Sequence, residues 1–200
     1  MKKNLLLLAA IVGVIASNAQ SAQLVFGSPT IAWFGLDFTK AKMVGWTDSP
    51  HKIRDEYFSA WNASVDMDLS KTFQKKAAYK DPNGINKANL ARETETLVST
   101  DEKEMSAENI AEMVKQMPAG QKKEGLGVVF IVQGFNKILD VATVHVTFFD
   151  IASRKVLWTK KVTGKPSGSS PKSAWAAAIR SIITNIEKKD FNAWKKEANY

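Results

Sequence analysis

The 200-residue chain reads as a single α+β domain. Three observations predict this. Three strand-like runs follow in quick succession at Leu126 to Val132, Val141 to Phe149 and Lys155 to Thr163. A capped amphipathic helix follows them from Pro171. Two further helical stripes precede them. The expected architecture is a mixed four- to five-stranded sheet with a carboxy-terminal β-meander, and helices 51–70, 106–117 and 171–189 packed on it.

Each element has a local reason. Thr30 to Phe38 is rich in β-formers, and Gly35 interrupts it where a bulge or close approach is expected. Asp48-Ser49-Pro50 is a helix start, a capping side chain followed by proline. From His51 to about Phe73, Ile53, Tyr57, Phe58, Trp61, Val65 and Leu69 recur at helical spacing, with a break expected near Met67. The stretch from Phe73 to Thr100 is the least legible. Ala77 to Lys80 reads as a short strand before the Asp81-Pro82-Asn83-Gly84 turn, and a short helix or strand lies between Ile85 and Val98.

Ser106 caps a helix whose stripe is Ile110, Met113, Val114 and Met117, ended by Pro118 and Gly120. In the meander, Val128 to Val132 is apolar on both faces and suits a central strand. Val144, Val146 and Phe148 alternate with Thr143, His145 and Thr147. The third run is more polar and belongs nearer the sheet edge. Ser170-Pro171 opens the last long helix, with Trp175, Ile179, Ile182, Ile183 and Ile186 on its core face. Asp190 is expected to cap a short terminal helix carrying Phe191 and Trp194.

Residues 1–19 have the form of an export signal: Lys2 and Lys3, an apolar run from Leu5 to Ala16, then small residues. Cleavage is expected after Ala19, with Ser21 a close second and 22 the latest position. Residues up to about Gln23 are therefore set aside from the fold. A retained membrane anchor is the alternative, but the run falls short of the roughly 20 residues a bilayer span needs. The chain has no cysteine, which excludes disulfides, thiolate-metal sites, a cysteine nucleophile and a lipobox. These features predict an exported protein, periplasmic or secreted, with no transmembrane segment in the mature chain.

The formal charge of +8 is unevenly spread. Glu93, Glu95, Asp101, Glu102, Glu104, Glu108 and Glu112 crowd one stretch, whereas Lys and Arg dominate from Arg154 onward. Export makes nucleic acid an improbable partner, and an envelope protein is the expected one. A solvated basic face explains the same charge run.

Chemistry-bearing motifs are sparse. The loop Gly164 to Lys172 feeds a helix amino terminus, so Lys165, Ser169, Ser170 and Lys172 are candidates for holding an anion. The phosphate-loop pattern is absent there, and Pro171 removes one N–H donor. A plain strand-to-helix connection explains the loop equally. His51 and His145 have no partner at metal-ligand spacing, the acidic run lacks an EF-hand's spacing, and no Gly-x-Ser-x-Gly elbow occurs. No cofactor or metal is expected. Trp61, Trp158 and Trp175 sit on apolar stripes, which leaves Trp46 and Trp194 as the candidates for surface binding.

The run Val146-Thr147-Phe148-Phe149-Asp150-Ile151-Ala152-Ser153-Arg154-Lys155-Val156-Leu157-Trp158 resembles a pattern in small exported bacterial α/β domains. These are the TolB amino-terminal domain, the penicillin-binding-protein activator lipoproteins and the curli-secretion lipoprotein family. In them a strand ends in Asp, a turn usually carries Thr-Gly, and Lys-x-Leu-Trp opens the next strand. Ser153-Arg154 replaces Thr-Gly here. Either a left-handed residue costs about 1 kcal/mol or the turn type differs. The resemblance implies a noncatalytic, partner-binding domain. A carrier of a small apolar ligand, held between the sheet and the helix from His51, is a second expectation, and a hydrolase the third.

Overall fold

The computed structural model describes residues 20–65 and 67–200; the expected export signal lies outside the described residues. The elements run in the order α1 (20–27), β1 (Thr30–Asp37), β2 (Lys42–Val44), α2 (50–63), α3 (Leu69–Thr72), β3 (Ala77–Lys80), α4 (Asn83–Ala91) and β4 (Val98–Ser99). They continue with α5 (Ala107–Gln116), β5 (Leu126–Asn136), β6 (Val141–Asp150), β7 (Val156–Gly164), α6 (Pro171–Asn185) and α7 (Phe191–Glu197).

The seven strand segments form one mixed sheet only five strands wide. β1 and β2 lie end to end along the same side of β5, both parallel to it, with β3 outside β1 and β4 outside β2. On its other side β5 pairs antiparallel with β6, and β6 with β7. β5 is buried along its whole length, as a central strand covered on both faces must be. β7 is the edge strand, and the polar pattern of its sequence reflects that position.

Two bulges tune the faces. Gly35, at φ 108°, sits where the β1–β5 register shifts between Trp33 and Leu36. The extra residue lets Trp33 and Leu36, three apart, both join the larger core. A second shift between Val132 and Gly134 does the same for Val132 and Phe135.

The larger core fills the first face, under α1, α2, α6 and α7. Phe38 and Phe58 stack at 4.4 Å, Phe135 and Trp175 at 4.7 Å, and Trp61 meets Phe135 edge-on at 4.9 Å. These rings occupy the space between the sheet and α2. The second face carries a smaller cluster, in which Phe34, Val129, Ile131 and Phe149 pack under Ile85 of α4 and Ile110, Met113 and Val114 of α5.

Several expectations are corrected. The helix from Pro50 ends at Ala63, short of the expected 70, with the break expected near Met67 falling between it and α3, which Asp68 caps through the Lys71 N–H. A π-helical stretch, Ile53–Phe58, runs inside α2. Asp190 makes no capping bond; a π turn, Ile186–Asp190, joins α6 to α7. Residues 20–23 belong to the fold, since Ala22 is buried with Val25 and Phe26. Arg154 adopts the left-handed conformation at φ 59°, so the turn type is kept without its glycine. Its guanidinium donates to the Pro118 carbonyl at 3.2 Å and lies over the Phe34 and Phe149 rings.

Candidate functional site

The corner between β1 and β2 needs polar side chains, because a strand that bends away from its neighbours leaves main-chain groups unpaired in the interior. Asn62 of α2 accepts from the Leu36 N–H and donates to its carbonyl. Asn89 of α4 donates to the Leu36 carbonyl and accepts from the Phe38 N–H at 2.7 Å. Arg92, just past α4, donates through Nη1 to the carbonyls of Phe38 and Ala41 and through Nε to that of Glu93. Asp37 Oδ1 accepts from both the N–H and the hydroxyl of Thr39.

Asp37, Thr39 and Arg92 line a groove on the second face. One part, of about 430 Å³, is lined by Asp37, Thr39, Lys40, Ile85, Arg92, Glu93, Met113 and Met117 among others. A second part, of about 330 Å³, runs on over Lys42, Lys103, Glu104, Met105, Glu112 and Gln133. Lys40, Thr96, Met113 and Gln116 line both. Three methionines give it an adaptable apolar wall.

Asp37 is 3% exposed and Arg92 9%. The hydrogen bonds described above run through Asp37 Oδ1 and through Arg92 Nη1 and Nε. Burial pushes the Asp37 carboxyl above its ordinary range, offset in part by its Thr39 bonds and the Arg92 charge. Burial also brings the Arg92 guanidinium down to about 10. The floor therefore offers an acceptor-or-donor carboxyl and a donor guanidinium to whatever enters.

Beyond the groove's inner end, His145 shares a 2.9 Å hydrogen bond with Gln133 Oε1, which also accepts from the Met105 N–H. Gln133 donates onward to Glu102, and Glu104 pairs with Lys161 at 2.8 Å. An amide oxygen accepts only, so Nε2 of His145 carries its proton. Burial holds the imidazole below its ordinary pKa. Carboxylates do gather near His145, yet its ring bonds to an amide, and the one hydroxyl bonded to this residue, that of Thr147, donates to its main-chain carbonyl.

The residues singled out from the sequence are not brought together. Ser170 is spent on capping α6, in a reciprocal box with Ser173. Ser169 and Ser170 line a recess of about 280 Å³ that also contains Asp140, an unfavourable neighbour for an anion; the exposed Lys165 and Lys172 are not among its walls. Trp194 is 7% exposed and packs on Phe148 and Phe191, so its ring belongs to the core. Trp46 is likewise buried, with Nε1 donating to the Phe135 carbonyl at 2.9 Å. Asp37 and Arg92 carried no sequence signal beyond the Asp-x-Thr turn pattern at a strand end.

No known protein family matches the chain, and no curated protein matches it either. Among solved structures, the chain is similar to the lipoprotein GNA1162 from Neisseria meningitidis. The TM-score is 0.35 at 11% identity, over 80% of this chain and 98% of that one. A likeness of that extent assigns neither fold nor role.

Proposed function

We propose that this chain is an exported, envelope-associated binding or adaptor domain without catalytic chemistry, and that the second-face groove receives its ligand. One observation carries the reading. Asp37 and Arg92, both buried, line a groove walled by Met113 and Met117 and continued past Met105. A concave site with apolar walls and a few convergent polar groups is where ligands bind most often.

The export half of the reading rests on the sequence of residues 1–19. Cleavage after Ala19 keeps Ala22, Val25 and Phe26, all buried in the core, whereas cleavage at 22 would remove a buried residue. The noncatalytic half rests on the His145 ring, which among the described residues bonds to an amide and to no hydroxyl, and on the long 3.4 Å separation of the Thr94 hydroxyl from His51. The apolar-carrier alternative needs room between the sheet and α2, where the stacked rings of Phe38, Phe58, Trp61 and Phe135 already sit.

Site-specific photo-cross-linking in intact cells tests the proposal. A benzophenone at Ala88, on the groove wall, is expected to form a discrete adduct that the same group at Thr163, on the β7 edge, does not. Equal adducts at both positions, or none at Ala88, would contradict it.

A further inference from the structure

The most exposed large apolar side chains in the described structure are neighbours. Ile138 and Leu139 are 72% and 70% exposed at the tip of the β5–β6 hairpin. Their display is built in. Asn136 Oδ1 accepts from both the Ile138 and Leu139 N–H groups at 3.0 Å, and the Lys137 N–H donates to the Val44 carbonyl. The N–H groups of Lys137, Ile138 and Leu139 are thus satisfied before any partner arrives, which lowers the penalty for bringing this backbone to an apolar interface.

The charges around the tip say what that medium is. Gly164 at the end of β7 pairs with Ala142 at the foot of the hairpin, which sets the loop leading to α6 beside the tip. Lys137, Asp140 and the loop residues from Pro166 to Pro171 enclose one recess. Lys165 and Lys172 flank that loop in exposed positions, and Asp140 and Asp48 are the carboxylates at the hairpin. Lys137 lies 4.1 Å over the Trp46 ring, and its ion pair with Asp48 is long at 3.8 Å. Two aliphatic side chains with Lys137 on their own hairpin, and with Lys165 and Lys172 bounding the adjoining loop, suit an anionic bilayer surface, where apolar tips enter the interface and ammonium groups meet lipid phosphates. Among the described residues no helix is long and apolar enough to cross a membrane, so this contact is superficial.

We infer that the β5–β6 hairpin tip, with Ile138 and Leu139 as its apolar anchors and Lys165 and Lys172 beside them, docks on anionic phospholipid. The inference stands independently of the groove. The signal-free chain is sedimented with vesicles of phosphatidylcholine alone and of phosphatidylcholine with phosphatidylglycerol. Binding is expected only with the anionic vesicles, falling about tenfold or more in the double variant Ile138→Asp, Leu139→Asp and less steeply in Lys165→Glu, Lys172→Glu. All four side chains are exposed, so the variants should melt like the native protein, which circular dichroism checks. Failure of the native chain to bind anionic vesicles overturns the inference. So does undiminished binding by the Asp variant. A concentration-dependent dimer that the Asp variant abolishes, with no vesicle binding, would reassign the tip to self-association and overturn it equally.

Discussion

The main chain of Gly164 lies so close to the carbonyl oxygen of Ala178 that no Cβ fits between them. This contact seats α6 against the last strand of the meander, and the obstructing atom is backbone, which cannot rotate away. Gly164→Ala is therefore expected to cost about 1–3 kcal/mol, as overpacking does. For a chain of this size the melting temperature should fall by several degrees. A thermal melt by circular dichroism matching the native protein would show that α6 is free to shift.

Arg92 bridges the carbonyls of Phe38 and Ala41, the first of which also accepts from the Ala41 N–H. Arg92→Met should lower stability by roughly 1–3 kcal/mol, the cost of leaving a buried polar group unpaired. Arg92→Lys, which keeps one donor, should lose less. Urea unfolding of the three proteins gives the order native, Lys, Met. A Met variant as stable as the native chain would mean that water reaches those carbonyls.

Asp37 gives a pH signature of fixed sign. Its folded pKa is raised above the ordinary 3.8 by burial, so the folded state prefers the proton. Stability from this group is greatest below 3.8 and is lost as pH rises through the raised folded value. Asp37→Asn should therefore stabilise the protein at pH 7 relative to native and do little at pH 3. Denaturant melts at the two values check this, and a variant no more stable at pH 7 would contradict it.

Lys75 predicts the opposite slope at alkaline pH. It donates to the carbonyls of Val25 and Phe26, holding the end of α1, and burial followed by the Lys195 charge brings it down to about 8. The folded state therefore binds this proton less well than the unfolded chain, whose lysine titrates near 10.5. Between about pH 8 and 10.5 the native protein should gain stability relative to Lys75→Met, by at most about 3 kcal/mol. A constant difference across that range would mean that Lys75 titrates normally in the fold.

Arg154 separates strain from contact. Arg154→Ala keeps the left-handed residue but loses the guanidinium's bond to Pro118 and its place over Phe34 and Phe149. Arg154→Gly loses the same contacts but removes about 1 kcal/mol of backbone strain. The alanine variant should be the least stable of the three in chemical denaturation. Equal stability of the alanine and glycine variants would show the turn to be unstrained.

Much of the framework was legible because local chemistry and tertiary placement agree there. Alternation along Val141 to Asp150 gives the strand and its faces. Ser106 and Ser170 give helix starts that the reciprocal bonds to Asn109 and Ser173 bear out. The end-to-end placement of β1 and β2 beside β5 was not legible. It depends on the Gly35 bulge and on side chains from α2, α4 and Arg92 that replace missing ladder bonds, and such bonds have no sequence period. The groove was missed for the same reason: its residues come from 37–42, 85–96, 103–118 and Gln133. Trp46 and Trp194 lie off any helical stripe, yet both are buried, because the edges of the first-face core are closed by the chain after β2 and by α7.

The most direct test of the binding reading uses the methionine methyl groups as internal reporters. Met105, Met113 and Met117 line the groove, whereas Met43 and Met67 lie in the first-face core. The signal-free chain, carrying carbon-13-labelled methionine methyls, is titrated by NMR with an extract of the bacterial envelope. The account predicts shifts at Met105, Met113 and Met117 while Met43 and Met67 stay fixed, with the shifts lost in Arg92→Lys. Unmoved groove methyls, or shifts centred on Met43 and Met67, would contradict it.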